Sequence, residues 1–468
     1  MKKVWILIAA LACGPVGLCA EVNADQSVPG SPVSLTLQQS ISLAIEGATQ
    51  ILKAKNNLDF TGAQLLQTYM QFLPNLEASA GYAWQSGRTY STVVTPVSIA
   101  TTDRSMDYHL TSTLNLFSGF SDTASMRAGR ERNAAAAMTL YRARQQIILD
   151  VTQAYLQVLL DRDIVNVADS NLKSSRERQT LLESQTQVGV KSLADLYRQQ
   201  AQTSADELFF IQSQNRERDD QILLLRRLRV DLMKTYEIAD VSLDTPTATN
   251  PYPDSDTQAL LRSALDQRAD LRAFQESSQA ARWDVTTARS GYFPRVDLFA
   301  DMSGTGQLLD RQIVDGVDQL PIPQQPLGKQ LGDQVLYTAG ATLTWGLFDR
   351  YLTRETVVRA DVNARDAQID YEDLKLQVEG DVKQAIGDYQ AALQQLESAH
   401  RGLQSAQESF DAVQERYKVG ASSIVDLLTA QAALVQAQTS DAQSRIGFVL
   451  QEKTMDDVLG RTAIPPSL

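Results

Sequence analysis

The sequence predicts a mainly α-helical fold with a β-barrel part: long antiparallel helical hairpins joined to four strands of membrane-crossing length. Three observations predict it. Proline is absent between Pro96 and Pro246 and again between Pro326 and Pro465, and helix interiors exclude proline because it lacks an N–H and clashes with the preceding turn. Inside those gaps apolar residues recur with a period of about 3.5. Beside the gaps, four short segments alternate apolar and polar residues with a period of two.

The chain opens as a signal peptide over 1–24: Lys2-Lys3, the apolar run Val4 to Ala12, then Gly14-Pro15 as a breaker. Cleavage fits after Ala20 or after Ala24, and lipidation at Cys13 is a rival reading of Ala10-Leu11-Ala12-Cys13. Cleavage at either site leaves no cysteine, because Cys13 and Cys19 are the two in the chain. Beyond residue 25 no apolar run reaches the roughly 20 residues of a membrane-spanning helix. Such a chain can cross a bilayer only as a closed barrel.

The rest is written twice. At an offset of 220, Ala44 matches Ala264 and Pro74 matches Pro294. At 231, Leu116-Phe117 matches Leu347-Phe348, Gly189 matches Gly420, and Asp195 matches Asp426. The change of offset places extra residues in the second copy, where Pro321-Ile322-Pro323-Gln324-Gln325-Pro326 reads as a longer loop. The expected domains are a first repeat over 35–235, a linker over 236–255, a second repeat over 256–460 and a tail over 461–468.

Each repeat begins with a helix, near 36–72 and 256–291. Two strands follow in each, over 75–85 and 106–116, then over 295–302 and 335–345. Apolar Leu76, Ala78, Ala80, Tyr82 and Trp84 alternate with polar or small neighbours, as do Val335, Tyr337, Ala339, Ala341 and Leu343. About 10 residues cross a bilayer as a tilted strand. The alternative is a small soluble sheet packed on the helices; four strands cannot close a barrel, for which about eight is the minimum, so if they line a membrane pore several chains must share one. A very long helix follows, near 121–188 and 351–418. The second carries a sustained seam from Val378 through Val382, Ala385 and Tyr389 to Phe410, Val413 and Tyr417. The first holds it less strictly, with Asp161, Ser175 and Gln179 interrupting. Nearly 70 helical residues span about 100 Å. A Val-Gly turn and a return helix, near 193–235 and 424–459, complete each repeat.

The turns are cousins: TQVGVKSLADLY from Thr186 to Tyr197, and YKVGASSIVDLL from Tyr417 to Leu428. Gly189 and Gly420 suit a helix stop. Ser192 and Ser422-Ser423 suit the cap of the next helix. Asp195 and Asp426 fall in a first turn, where the helix dipole favours a carboxylate.

Taken in this order, and twice, these features resemble the TolC-type outer-membrane efflux proteins across about Leu35 to Gly460. Leu73-Pro74 and Phe293-Pro294 before strands, Leu116-Phe117-Ser118-Gly119 and Leu347-Phe348-Asp349 after them, and the paired tips carry the likeness. The resemblance implies a homotrimer with one twelve-stranded barrel in outer-membrane lipid and a helical barrel across the periplasm. It implies an exit duct for a tripartite efflux pump or type I secretion system. The partners would be a periplasmic adaptor (membrane fusion protein) and an inner-membrane transporter. It implies a periplasmic gate at Tyr417, Asp426 and Asp195, and adaptor contact at Val188, Gly189, Val419 and Gly420. Threefold assembly would make each Asp a ring of carboxylates, which favours cations. The family's Arg after the second tip is replaced here by Ser422, and its second Asp by Thr429, so the inter-chain latch is incomplete.

Other classes find little support. A net charge of -13 argues against nucleic acid, which requires a basic surface. His109 and His400 are the two histidines, and without mature cysteine a His/Cys metal centre is not expected. Ser303-Gly304-Thr305-Gly306 lacks the Lys of a phosphate loop and reads as the start of an extracellular loop. Asp219-Asp220 and Asp456-Asp457 read as solvated faces, and Arg226-Arg227-Leu228-Arg229 as a helix surface. No enzyme, cofactor or metal is expected. The alternative to a channel is a periplasmic coiled-coil scaffold or adaptor.

Overall fold

The structure, a computed structural model, describes residues 33–91, 97–240, 257–319 and 323–464. The signal peptide, Cys13, Cys19, Pro321 and most of the expected linker lie outside the described residues. The first half runs β1 (Val33–Leu35), α1 (Leu37–Gly47), α2 (Thr49–Met70), β2 (Glu77–Ser91), β3 (Val97–Phe117), α3 (Ser121–Gln187), α4 (Leu193–Leu228) and β4 (Tyr236–Ile238). The second runs α5 (Thr257–Gln267), α6 (Ala269–Arg289), β5 (Arg295–Val314), β6 (Val317–Asp318), α7 (Leu327–Asp333), β7 (Val335–Thr344), α8 (Leu352–Lys418) and α9 (Ile424–Val458).

Helices α3 and α8 each contain 67 residues, which at a rise of 1.5 Å makes each about 100 Å long. Their seams are those the heptads predict. Val378, Val382, Ala385 and Tyr389 are buried on α8, and Val151, Ala154, Val158, Ala168, Leu172 and Leu182 on α3. Asp161 and Ser175 do not interrupt the α3 seam; both are buried within it.

The initial helix expected in each repeat is two helices. Ala48 (ψ 131) and Arg268 (ψ 121) are extended, and neither is a proline. The cause is tertiary. Where α4 ends, Arg229 turns left-handed (φ 56) and donates from Nη1 to the Gly47 carbonyl at 3.0 Å. In the second half Gly460 (φ 71) packs on the break, so close that a Cβ there would lie 3.0 Å from the Gln267 carbonyl carbon. The end of each return helix thus wedges into the first helix of its own repeat. For the same reason α4 stops at Leu228 rather than near 235, freeing Tyr236–Ile238 to pair in parallel with β1. Buried Tyr155 ties that pair down, donating to the carbonyls of Leu35 and Ala239.

Strands β2, β3, β5 and β7 lie in that order, antiparallel throughout, and β6 folds back on the end of β5. Three exceed the expected ten residues: β2 has 15, β3 has 21 and β5 has 20. Ser303–Gly306 is therefore no loop start. It lies inside β5, opposite Thr305↔Asp107 and Gly304↔Tyr108. The glycines serve packing, since a Cβ at Gly304 would lie 2.3 Å from the Tyr108 ring. Among the described residues β2 and β7 each have one edge without a strand partner.

Asp457 is not a solvated residue. It is 5% exposed and accepts from both Nη atoms of Arg142 at 2.7 and 3.0 Å. Arg268 bonds Asp270 and Asp381, so guanidinium and carboxylate groups link α3, α6, α8 and α9 across the two halves. Burial raises the Asp270 carboxyl, but the Arg268 hydrogen bond and charge outweigh it and hold the group below its ordinary range. In the Arg226–Arg229 run Leu228 is buried, and Arg227 donates to the Asp150 carbonyl.

Candidate functional site at the helix tips

Both long helices end in the same way. Val190 N–H donates to the Gln185 carbonyl at 2.9 Å and Gly189 N–H to Thr186 at 3.0 Å. On the second tip Ala421 N–H donates to Arg416 at 2.8 Å and Gly420 N–H to Tyr417 at 3.1 Å. This nested pair of bonds is the Schellman arrangement, which needs a left-handed residue after the cap. Gly189 (φ 77) and Gly420 (φ 81) supply it. Val188 and Val419 stand 74% and 79% exposed, apolar side chains turned to solvent at the extremity of each hairpin.

The returning helices start on serine. Ser192 Oγ accepts from Asp195 N–H at 3.1 Å. Ser423 Oγ accepts from Asp426 N–H at 3.1 Å, and the Asp426 carboxylate accepts in return from Ser423 N–H at 3.0 Å, Ser423 Oγ at 2.8 Å and Ser422 Oγ at 3.0 Å. That is a reciprocal capping box. The backbone and hydroxyl donors of Ser423, then the hydroxyl of Ser422, hold Asp426 below the usual carboxylate range. Ser422 contributes a hydrogen bond and no charge.

The two tips share a small core of Leu182 from α3 with Ile424 and Leu427 from α9, and Leu196, Phe410, Val413 and Tyr417 pack against it. A cleft of about 210 Å³ lies there, lined in part by Arg178, Gln185, Lys191, Tyr417 and Lys418. Tyr417 forms part of its wall. The Lys191 ammonium stands 4.5 Å from the centre of its ring, a favourable placement for a cation over an aromatic face. Its buried hydroxyl makes no hydrogen bond among the described residues. Burial raises the Tyr417 hydroxyl, the Asp195 charge adds to the shift, and Arg178 opposes it. Asp195 lies 3.7 Å from Arg198 of its own helix.

Tyr417 thus lines the cleft and feels the charge of Asp195, which is not among the lining residues, whereas Asp426 turns back on its own cap. Sequence reasoning missed Arg178 and Lys191. Arg178 belongs to the opposite hairpin and reaches Gln431 on α9, and desolvation lowers its affinity for a proton. No local motif marks either residue, because the pairing is across hairpins.

Among the described residues no helix is long and apolar enough to cross a membrane, and no three potential metal-ligating side chains cluster.

Comparisons with known proteins agree with this architecture. The model of the outer membrane efflux protein family matches residues 40–226 and 260–461. The alkaline protease secretion protein AprF of Pseudomonas aeruginosa is 26% identical over 224 residues, which is 47% of this chain and 46% of that protein. The chain thus spans about half the length of the curated relative it matches. Among solved structures, the outer-membrane channel OprN aligns over 91% of this chain and 89% of its own, with TM-score 0.73 and 22% identity. The Campylobacter jejuni CmeC outer membrane channel aligns over 92% and 87%, with TM-score 0.74 and 18% identity. CusC, whose structures describe transmembrane channel formation, aligns over 91% and 92%, with TM-score 0.75 and 17% identity.

Proposed function

The chain belongs to the outer membrane efflux protein family, a family of channels rather than enzymes and located in the outer membrane, and from that membership we propose that it is the exit duct of a tripartite efflux pump or type I secretion system. Three copies close one barrel in the outer membrane, and their helices form a hollow conduit through the periplasm. Residues 35–235 and 256–460 act as its two equivalent repeats. The duct is passive, and energy comes from an inner-membrane transporter reached through a periplasmic adaptor.

One observation carries this reading. A sheet of four long strands and the short β6, with two edges free among the described residues and exposed apolar side chains, stands at one end of helices about 100 Å long. Such a sheet is incomplete as a soluble module and complete as a segment of a shared barrel. The tips at the other end form the gate. Tyr417, with Lys191 on its face and Arg178 beside it, locks one hairpin to the other. Asp195 and Asp426, each repeated three times around an axis, set a cation preference. Val188 and Val419, raised on Gly189 and Gly420, meet the adaptor.

Single-channel conductance of the purified protein in a planar bilayer tests the reading. Small cation-selective steps are expected, larger in Tyr417→Ala and less selective in Asp426→Asn. Steps unaltered by both substitutions would keep the channel and remove the gate from these residues. Absence of steps from every variant would contradict the channel itself.

A further inference from the structure

The open edges of the sheet carry enough pattern to fix how they meet. We infer that β7 of one copy pairs antiparallel with β2 of the next in a single register, Thr344 opposite Glu77 and Val335 opposite Ser86, and that the segment 323–334 of the first copy receives residues 87–90 of the second. This rests on the proposed shared barrel and adds its register and a contact surface.

Direction comes first. Neighbouring strands alternate in direction along the sheet, so β7 runs opposite to β2 and an antiparallel junction follows. Parity comes next. The apolar face of β2 holds Ala78, Ala80, Tyr82 and Trp84, and that of β7 holds Val335, Tyr337, Ala339, Ala341 and Leu343. Tyr82, Trp84, Tyr337 and Leu343 are each more than 60% exposed. A one-residue slip would turn every one of them to the opposite face, which excludes alternate registers.

Barrel geometry selects among the rest. Within one chain, Glu77 lies in a row with Thr111, Asp301 and Thr338. In the inferred register Thr338 faces residue 83 of the neighbour, a stagger of six residues per copy. Six residues measure about 20 Å along a strand, and four strands about 19 Å across. The tilt is then about 45°, at the upper end of the 35–45° of closed barrels. A further step of two residues steepens it to about 54°, outside that range. A step back by two leaves the last residues of β7 without partners, which is costly in lipid. The inferred register pairs all ten residues of β7. It sets Tyr337 against the neighbour's Trp84 and Ala339 against its Tyr82, pairing large with small or aromatic with aromatic.

The lengths then call for the second contact. The neighbour's β2 has 15 residues against ten, so its distal end passes beyond β7. On the first copy β5 also passes beyond β7, since their last pair is Gly304↔Val335 and β5 continues to Val314. The segment 323–334 lies over the face of β5 and reaches β3, where the Tyr108 hydroxyl donates to the Leu331 carbonyl at 3.5 Å, and two of its side chains reach into the lane beside β5. Gln330 donates to the Gln307 carbonyl at 2.9 Å and accepts from its N–H at 2.8 Å. Gln324 does the same to Leu309 at 2.7 and 2.6 Å. Each side-chain amide replaces one residue of a missing strand. Leu327 and Gln330 lie 3.3 Å from where a Cβ on Gly306 would stand, so the segment is seated on the strand. The distal end of the neighbour's β2 runs alongside it.

Cysteine pairs test this in the full chain, whose residues 25–468 contain no cysteine. Tyr82→Cys with Ala339→Cys places two thiols directly opposite, at about 4.5–5.5 Å between Cβ atoms, whereas a pair two residues out of step stands at about 7–8 Å. A disulfide needs roughly 3.5–4.5 Å. Oxidation in outer-membrane preparations is expected to link copies several-fold faster in that variant than in Tyr82→Cys paired with Tyr337→Cys or with Ala341→Cys. Faster linkage in either comparator, or none in any variant while native mass still shows three copies, would overturn the register and leave the channel standing. Failure to assemble in the unsubstituted protein would overturn both. Replacing Gln324 and Gln330 by Ala is expected to lower the temperature at which the assembly dissociates. An unchanged temperature would overturn the role of segment 323–334.

Discussion

Gly189 and Gly420 each end a 67-residue helix at positive φ with open space around the position a Cβ would take. Replacement by Ala therefore costs only the backbone term, about 1–2 kcal/mol. Gly420→Ala is expected to speed amide exchange at positions 420 and 421 roughly five- to thirtyfold, with little change at mid-helix. Equal rates in parent and variant would remove the Schellman lock from the account. Ser423 stands beside it as cap. Ser423→Ala removes the acceptor for Asp426 N–H and a donor to its carboxylate, and N-cap losses run to about 1 kcal/mol. Exchange over the first turn of α9 reads that loss, and Ser423→Asn is expected to restore it. These roles were legible in the sequence, because Val-Gly followed by Ser and Asp is a local code. The environment of Tyr417 was not, because Arg178 lies on the other hairpin.

The seam between α3 and α4 is a different material from that between α8 and α9. Asp161, Ser175, Gln199, Thr203, Asp206 and Ser213 are buried along it, whereas α8 buries Val378, Val382, Ala385 and Tyr389. Ser175 and Gln199 hydrogen-bond across it at 2.9 Å. Asp161 is raised to about 7, first by burial and then by its hydrogen bond to the Asp220 carboxyl, with Gln157 and the Arg216 charge opposing. The folded value exceeds the ordinary carboxylate value near 4, so the folded chain holds this proton more tightly. The resulting stability is fully present below about pH 4 and is lost as pH rises to about 7. The α3–α4 hairpin is expected to resist proteolysis better at pH 5.5 than at pH 8, and Asp161→Asn to abolish that difference. A difference surviving in Asp161→Asn would place the titration elsewhere. Periodicity showed these helices and their lengths but took Asp161 for a flaw in the heptad. A pattern of apolar residues is blind to a polar residue that is buried because another polar residue faces it.

At the scale of the whole molecule the duplication organises everything. The two tips, the two long helices and the two helix breaks at Ala48 and Arg268 occupy equivalent places in the halves. The element order was readable because proline gaps, the 3.5-residue seam and the period-two segments are properties of contiguous chain. The breaks were not, since Arg229 and Gly460 impose them from about 180 or more residues away. The strands proved longer than their apolar alternation because glycines and charged residues extend β5 past the membrane-length core, where side chains of segment 323–334 reach its edge. At this scale the sheet is one third of a barrel. Native mass of the protein extracted from outer membranes in mild detergent tests it most directly. A species of three chains is expected, each 51.6 kDa before any signal peptide is removed, and no stable lone chain. A single chain, recovered soluble from the periplasm, would contradict it.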